Sequence, residues 1–239
     1  MVILLMYAKT LRFWYGYRIF KKYPEFGWVT MSRFGTCRIQ VENMRSRRIV
    51  SLKIKLINFR GGGYAGFLAE LKKDSNTNCI AKFIIVDGDR ASKESEEAKA
   101  LKALIEYCII QNESNRTPHI LIVNYPDFEY IACLHCPEYK GKDTTKFIVD
   151  MLHYRDLEEF KSDEKVYEIL HSKNRSHEIM LSKIESMTKF INNEITVNKS
   201  RFEIRVSTKY IWDSMGKRSS NLNDFFEVVE KMTGNGTLN

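Results

Sequence analysis

The chain has no apolar run of the length a membrane-spanning helix needs, so no membrane partner is expected. Its short apolar start, MVILLM, has no basic region ahead of it, and no small-residue cleavage site follows. Export is therefore not expected. Internal repeats and low-complexity tracts are absent, which argues against a solenoid or a disordered linker. No GxGxxG loop and no Gly-Lys-Ser/Thr occurs, which removes the dinucleotide-binding and P-loop ATPase readings. The five cysteines form no disulfide-like pattern, and their odd count fits a reducing cytoplasm. Cys133-Leu134-His135-Cys136 has metal-like spacing. No second CxxC accompanies it and the segment reads as helix, so core packing is expected there. Cys79 and Cys108 lie in apolar runs and read as small core residues. The five histidines, His119, His135, His153, His171 and His177, show no metal-binding spacing. His171 and His177 flank a helix junction and are expected at the surface or as caps.

Acids are scarce at the start. Residues 1–60 hold thirteen Lys or Arg against two acids, Glu25 and Glu42, a net +11 that leaves −3 for the remainder of a chain whose total is +8. Such asymmetry fits a nucleic-acid or membrane-surface contact at one end, or a solvated basic tail. Residues 1–43 mix aromatic and basic side chains without a clean period of two or 3.6. They could stack on bases while their cations meet phosphates. The preferred expectation is an N-terminal extension, poorly ordered or the product of an over-called start, with initiation at Met31 or Met44.

What is present after that is regular. Hydrophobic residues make up 44% of the chain, enough for a substantial core. Ile49–Phe59 alternates as a strand, and Arg60-Gly61-Gly62-Gly63 leads into a helix over Tyr64–Lys73. Ile80–Val86 is a second strand that ends in Asp87-Gly88-Asp89, followed by a helix over Ser92–Ile110. His119–Val123 is a third strand, and Pro126 opens a helix to Cys136. Strands alternating with helices predict an α/β fold with a parallel sheet over residues 44–139. Residues 140–239 read as mainly helical: Thr144–Tyr154, Leu157–Leu170, His177–Asn192 and Leu222–Met232, with a strand near Arg201–Lys209.

Ligands of such sheets sit beyond the carboxyl ends of the strands. Arg60, Gly61, Gly62, Gly63, Asp87, Asp89, Asn124 and Glu129 are expected on that edge. Carboxylates two residues apart at a strand exit suit Mg²⁺, which takes one or two protein carboxylates and completes its octahedron with water and phosphate oxygens. Asp87, Asp89 and Glu129 are thus the candidate metal-ligating and catalytic residues, with Mg²⁺ or Mn²⁺ as cofactor. An Asp-Gly-Asp turn with no ligand is the plainer alternative. Asp127 and Glu129 fall in a first helical turn, where the helix dipole favours acids whatever the function. Gly61, Gly62 and Gly63 could bring backbone N–H groups to a phosphate, with Arg60 beside them.

The order of these motifs resembles RloB-like proteins. The resemblance rests on basic Arg45–Arg48, the Gly61–Gly63 loop, Asp87 and Asp89, and Asn124-Tyr125-Pro126-Asp127-Phe128-Glu129. The apolar helix Tyr130–His135 and Asn221-Leu222-Asn223-Asp224 before a closing helix extend it, so the likeness runs from about Arg45 to Met232. It implies a TOPRIM-like core and a metal-dependent nuclease cutting DNA or tRNA. It also implies an effector role in bacterial anti-phage defence, beside an ATPase partner; a homo-oligomer is a separate expectation. The family usually carries a glutamate just after the strand at 49–59, where this chain has Arg60. Glu70 is a substitute in sequence, but it lies well into the helix. The alternative is a relative that has lost catalysis and binds nucleic acid or an ATPase.

Overall fold

The computed structural model describes residues 2–8, 29–31, 36–43, 48–58, 63–73, 79, 81–93, 95–114, 117–163, 166–172, 174–198, 203–210 and 217–233. Two apolar runs form its centre, β5 (Ala81–Asp87) and β6 (His119–Tyr125), which pair in parallel. In each, six successive residues are buried, as a strand covered on both faces requires. Side chains alternate between two cores. Phe83, Ile85, Ile120 and Ile122 enter one, and Ile84, Val86, Leu121 and Val123 enter the other.

Helices α1 (Gly63–Lys73), α2 (Asp89–Lys93) and α3 (Ser95–Glu113) connect the strands. The second core is built from Tyr64, Phe67 and Leu71 of α1 and Leu101, Leu104, Ile105 and Cys108 of α3. The opposite face is covered by α4 (Phe128–Cys133), α5 (Thr144–Leu152), α6 (Leu157–Ser162), α7 (Val166–Leu170), α8 (His177–Glu185) and α9 (Asn223–Thr233). Phe225 of α9 packs edge-on against Phe83, with ring centroids 4.9 Å apart.

The described segments of the first block join the sheet. β1 (Val2–Ala8) lies between β4 (Arg48–Asn58) and β5, parallel to both. β2 (Val29–Met31) and β3 (Thr36–Asn43) add antiparallel strands beyond β4, and β9 (Ser219–Ser220) runs antiparallel to β6 at the other edge. The order is β2-β3-β4-β1-β5-β6-β9, a mixed sheet with four parallel strands at its centre. The boundary expected after residue 43 falls inside the β3–β4 antiparallel pair. β1 escaped notice because a central strand is apolar on both faces and shows no alternation.

The C-terminal half is mainly helical, with two differences. The helix expected over Leu157–Leu170 is divided into α6 and α7. The helix expected over His177–Asn192 ends at Glu185, and Ile191–Asn198 is a strand, β7, paired with β8 (Glu203–Tyr210). The β-branched run Ile195-Thr196-Val197 favours that outcome. Among the described residues, no helix is long and apolar enough to cross a membrane.

Candidate functional site

Asp87 ends β5 and pairs in register with Asn124 of β6. The N–H of Gly88 donates to the Asn124 carbonyl at 2.7 Å, so the strand ladder continues through the turn before Asp89 opens α2. A Cβ at Gly88 would come within 3.1 Å of the Tyr125 ring and 3.3 Å of Val123, so this turn favours glycine. The Tyr64 hydroxyl donates to the Asp87 carbonyl from the other side. Burial pushes the Tyr64 phenol up, and the negative charges of Asp89, Asp87 and Glu97 push it further, against a backbone hydrogen bond at Ala91. This corner of the carboxyl edge is acidic.

Glu97, on the first turn of α3, is the acid that sequence reasoning missed. Its carboxylate accepts from the Tyr64 N–H at 3.4 Å and pairs with Arg90 at 3.5 Å. It also fills the glycine corner. Gly63 has φ +56°, and a Cβ there would lie 2.5 Å from Glu97 Oε1. The start of α1, expected to face a phosphate, therefore faces a carboxylate of the same chain. The sequence signal was faint, since acids in a first turn are common for dipole reasons alone. Arg60, Gly61 and Gly62 lie outside the described residues. Glu70, the substitute acid in sequence, is exposed and pairs with Lys73 at 3.1 Å.

Glu129 is placed differently from the expectation. It is buried, and its carboxylate meets Lys161 Nζ at 3.4 Å. Burial raises its carboxyl above the usual range, and Lys161 partly offsets this. Among the described residues, no three His, Cys, Asp or Glu side chains converge in a way that could hold a metal ion. The structure does not gather Asp87, Asp89 and Glu129 into one closed ligand set. What remains at the strand exit is a pair of carboxylates in an acidic setting. That suits a hydrated Mg²⁺ or Mn²⁺ completed by water and phosphate oxygens, and it does not suit a cage built of protein alone.

Asp127 is a helix cap: it precedes α4 and its carboxylate accepts from the Tyr130 N–H at 2.8 Å. The helix thus starts two residues beyond Pro126. Asn124 is buried, and its side-chain oxygen accepts from Ser220 Oγ at 2.8 Å, which ties β9 to β6. Cys133 and Cys136 are buried free thiols, and burial pushes both up, as core cysteines should be. His135 and His177 are buried too. His171 lies between them, with ring centroids 5.1 Å from His135 and 5.8 Å from His177. The expectation of surface or cap positions fails for His177, which is 2% exposed at the start of α8.

Lys161 provides a test of the Glu129 environment. In Lys161→Met the carboxyl is expected to rise further, because burial loses its offset. A raised carboxyl withholds stability as pH rises through the unfolded value, so the variant's deficit should be larger at pH 7 than at pH 5. The deficit at pH 7 is expected at roughly 1–2 kcal/mol, discounted because the lysine end is partly in water. Urea unfolding at both pH values reads it, and an equal deficit at each would contradict this account.

Comparison with family models, with curated proteins and with solved structures finds no match to the chain.

Proposed function

We propose that this chain is a TOPRIM-like, metal-dependent nuclease, with Asp87 and Asp89 as the cation-holding pair. The observation that supports it best is the pair itself. Two carboxylates leave a strand buried on both faces, at the carboxyl edge of a βαβ unit, where burial first and the charges of Asp89, Asp87 and Glu97 next push the Tyr64 phenol up. The resemblance of the motif order to RloB-like proteins points the same way.

Asp87 and Asp89 would hold Mg²⁺ or Mn²⁺, which supplies charge neutralisation and a more acidic water at a phosphodiester. Tyr64 fixes the turn by holding the Asp87 carbonyl. Glu97 is the acid that meets the glycine corner at Gly63, and RloB-like proteins carry a glutamate in the sequence just after the strand at 49–59. It stands in for that residue as the group that orients or deprotonates water, with Arg90 restraining its carboxylate. The substrate class is DNA or RNA, tRNA included. The cellular setting that accompanies this reading is cytoplasmic anti-phage defence, beside an ATPase.

The deciding experiment is cleavage of tRNA and of plasmid with Mg²⁺ and with Mn²⁺, comparing the intact protein with Asp87→Asn. The substitution keeps the volume and removes the charge, so activity should fall by more than about a hundredfold with the fold intact. Cleavage that is absent with either metal, or unchanged in Asp87→Asn, would sink the reading. A second reading, a relative that binds nucleic acid or an ATPase without cutting, is supported by the engagement of Glu129 with Lys161.

A further inference from the structure

Arg218 comes from the far end of the chain, yet the sheet carries it to the same edge and face as Asp87. β9 runs antiparallel to β6, with Ser220 opposite Asn124 and Ser219 opposite Tyr125. Arg218, one residue before β9, therefore lies just beyond the carboxyl end of β6. Strand alternation puts Asp87 on the face of Phe83 and Ile85, the face covered by α4 and α9. Ser220 shows that face too, since its hydroxyl meets the side chain of Asn124. The Arg218 guanidinium lies on it as well, 5.3 Å from the centroid of the Tyr130 ring. Two strand spacings, roughly 10 Å, separate the lines of Asp87 and Ser220.

The guanidinium is held in place. It rests on the Tyr130 ring, and Gly141, with φ +73°, leaves space that a Cβ would close to 3.0 Å from Arg218 Nη1. Three other cations of this layer have acids for partners: Arg175 with Glu138, Lys161 with Glu129 and Lys189 with Asp224. Arg218 is exposed, and among the described residues it is steadied by an aromatic ring and a glycine. A guanidinium held over a ring in this way keeps its planar fork of donors, which suits bidentate contact with a phosphate.

We propose that Arg218 is a strand-positioning residue, taking a backbone phosphate of the nucleic acid next to the one presented to Asp87 and Asp89. This rests on the nuclease reading for the reacting site, but it concerns binding and is tested apart from cleavage. Arg218 holds the strand across the ends of β5 and β6, and Tyr130 and Gly141 keep the guanidinium pre-oriented.

The test is anisotropy of labelled single-stranded DNA and RNA oligonucleotides in EDTA, over a salt series. The intact protein is compared with Arg218→Gln, Arg218→Lys and Lys72→Gln, an exposed site on α1 at the opposite face. Arg218→Gln should weaken binding roughly tenfold and flatten the log–log salt slope by about 0.7 for one phosphate. Arg218→Lys should restore the slope but only part of the affinity, because the fork is lost. DNA and RNA should be affected alike if only phosphate is read; a loss confined to RNA would overturn the phosphate assignment in favour of a 2′-hydroxyl contact. The proposal is overturned if the intact protein binds neither strand, if Arg218→Gln keeps affinity and slope, or if Lys72→Gln loses as much. Cleavage by the intact protein with an unchanged Arg218→Gln slope removes this inference and leaves the nuclease. Binding lost in Arg218→Gln with no cleavage under any metal removes the nuclease and leaves the contact.

Discussion

Acidification from pH 7 to pH 4 is expected to cost about 3 kcal/mol of folding stability through His135 alone. Burial lowers its pKa from the ordinary value to about 3. That value already includes the lowering by His171 and His177 and the opposing effects of the Ala132 carbonyl and Glu178. The ring's Nδ1 lies 2.9 Å from the Ala132 carbonyl and donates to it in either protonation state, so it is burial that keeps the ring neutral. The unfolded chain binds a proton near pH 6.5, and the folded chain resists it until about pH 3. Stability is therefore complete above the unfolded value and falls as pH drops below it, by about 1.4 kcal/mol per unit.

The raised carboxyls of Glu129 and Asp224 act in the opposite sense over the carboxylate range, so the difference between two proteins isolates the histidine. Urea midpoints of the intact protein and of His135→Asn, measured between pH 7 and pH 4, should converge as pH falls. The variant starts lower, having lost packing, and its curve is flatter. Parallel curves would show that His135 is not the group that titrates.

Asn221→Ala is expected to cost about 3–4 kcal/mol, although the residue touches nothing at the candidate site. Its side-chain oxygen accepts from the Val123 N–H at 2.9 Å, and its amide donates to the Leu121 carbonyl at 2.8 Å and to Asp224 at 2.9 Å. The side chain thus continues the sheet edge where the two-residue β9 has ended. Asn193 adds bonds to the Leu121 carbonyl at 3.1 Å and to Asp224 at 2.7 Å, and Thr208 donates to Asn193 at 3.0 Å. The network pins β7, β8 and the start of α9 onto β6 without exposing a buried polar group. Truncation strands the Val123 amide and half-empties the Asp224 environment. Thermal unfolding and hydrogen exchange at Val123 measure this. A loss under about 1 kcal/mol, with Val123 still protected, would show that water takes over the bonds.

This network bears on the candidate site. Ser220, Asn221 and Asp224 anchor the segment that carries Arg218 to the carboxyl edge. A contribution from the C-terminal region to a site opened by β5 therefore depends on buried amides rather than on apolar packing alone.

Much of the α/β core was legible because its signals are local. The apolar runs at 81–86 and 119–123 are too short for helices and are bounded by turn residues, so they read as buried strands. Asp87 at a strand exit followed from that placement. The burial of Cys133 and Cys136 also follows from neighbours in sequence, whereas Asp127, expected in the first turn, is the cap. The core helix starts shifted by one to three residues, and at α4 the Asp127 cap rather than apolar periodicity sets the start.

What the tertiary structure alone decided is non-local. Val2–Ala8 became a central strand because β4 and β5 leave parallel edges between which only an apolar segment can sit. Ile191–Asn198 became a strand because Glu203–Tyr210 offers a partner, and pairing outweighs a continuing helical pattern. His135, His171 and His177 meet because three helix ends converge, although their sequence spacing matches no motif. Glu129 turned to Lys161, Glu97 came to Gly63, and Arg218 reached the edge of β6, each through contacts between residues more than thirty positions apart. By itself the sequence determined which segments must be buried and which strand ends in Asp87-Gly88-Asp89. Strand order and the packing of the two cores decided which charges stand beside that pair.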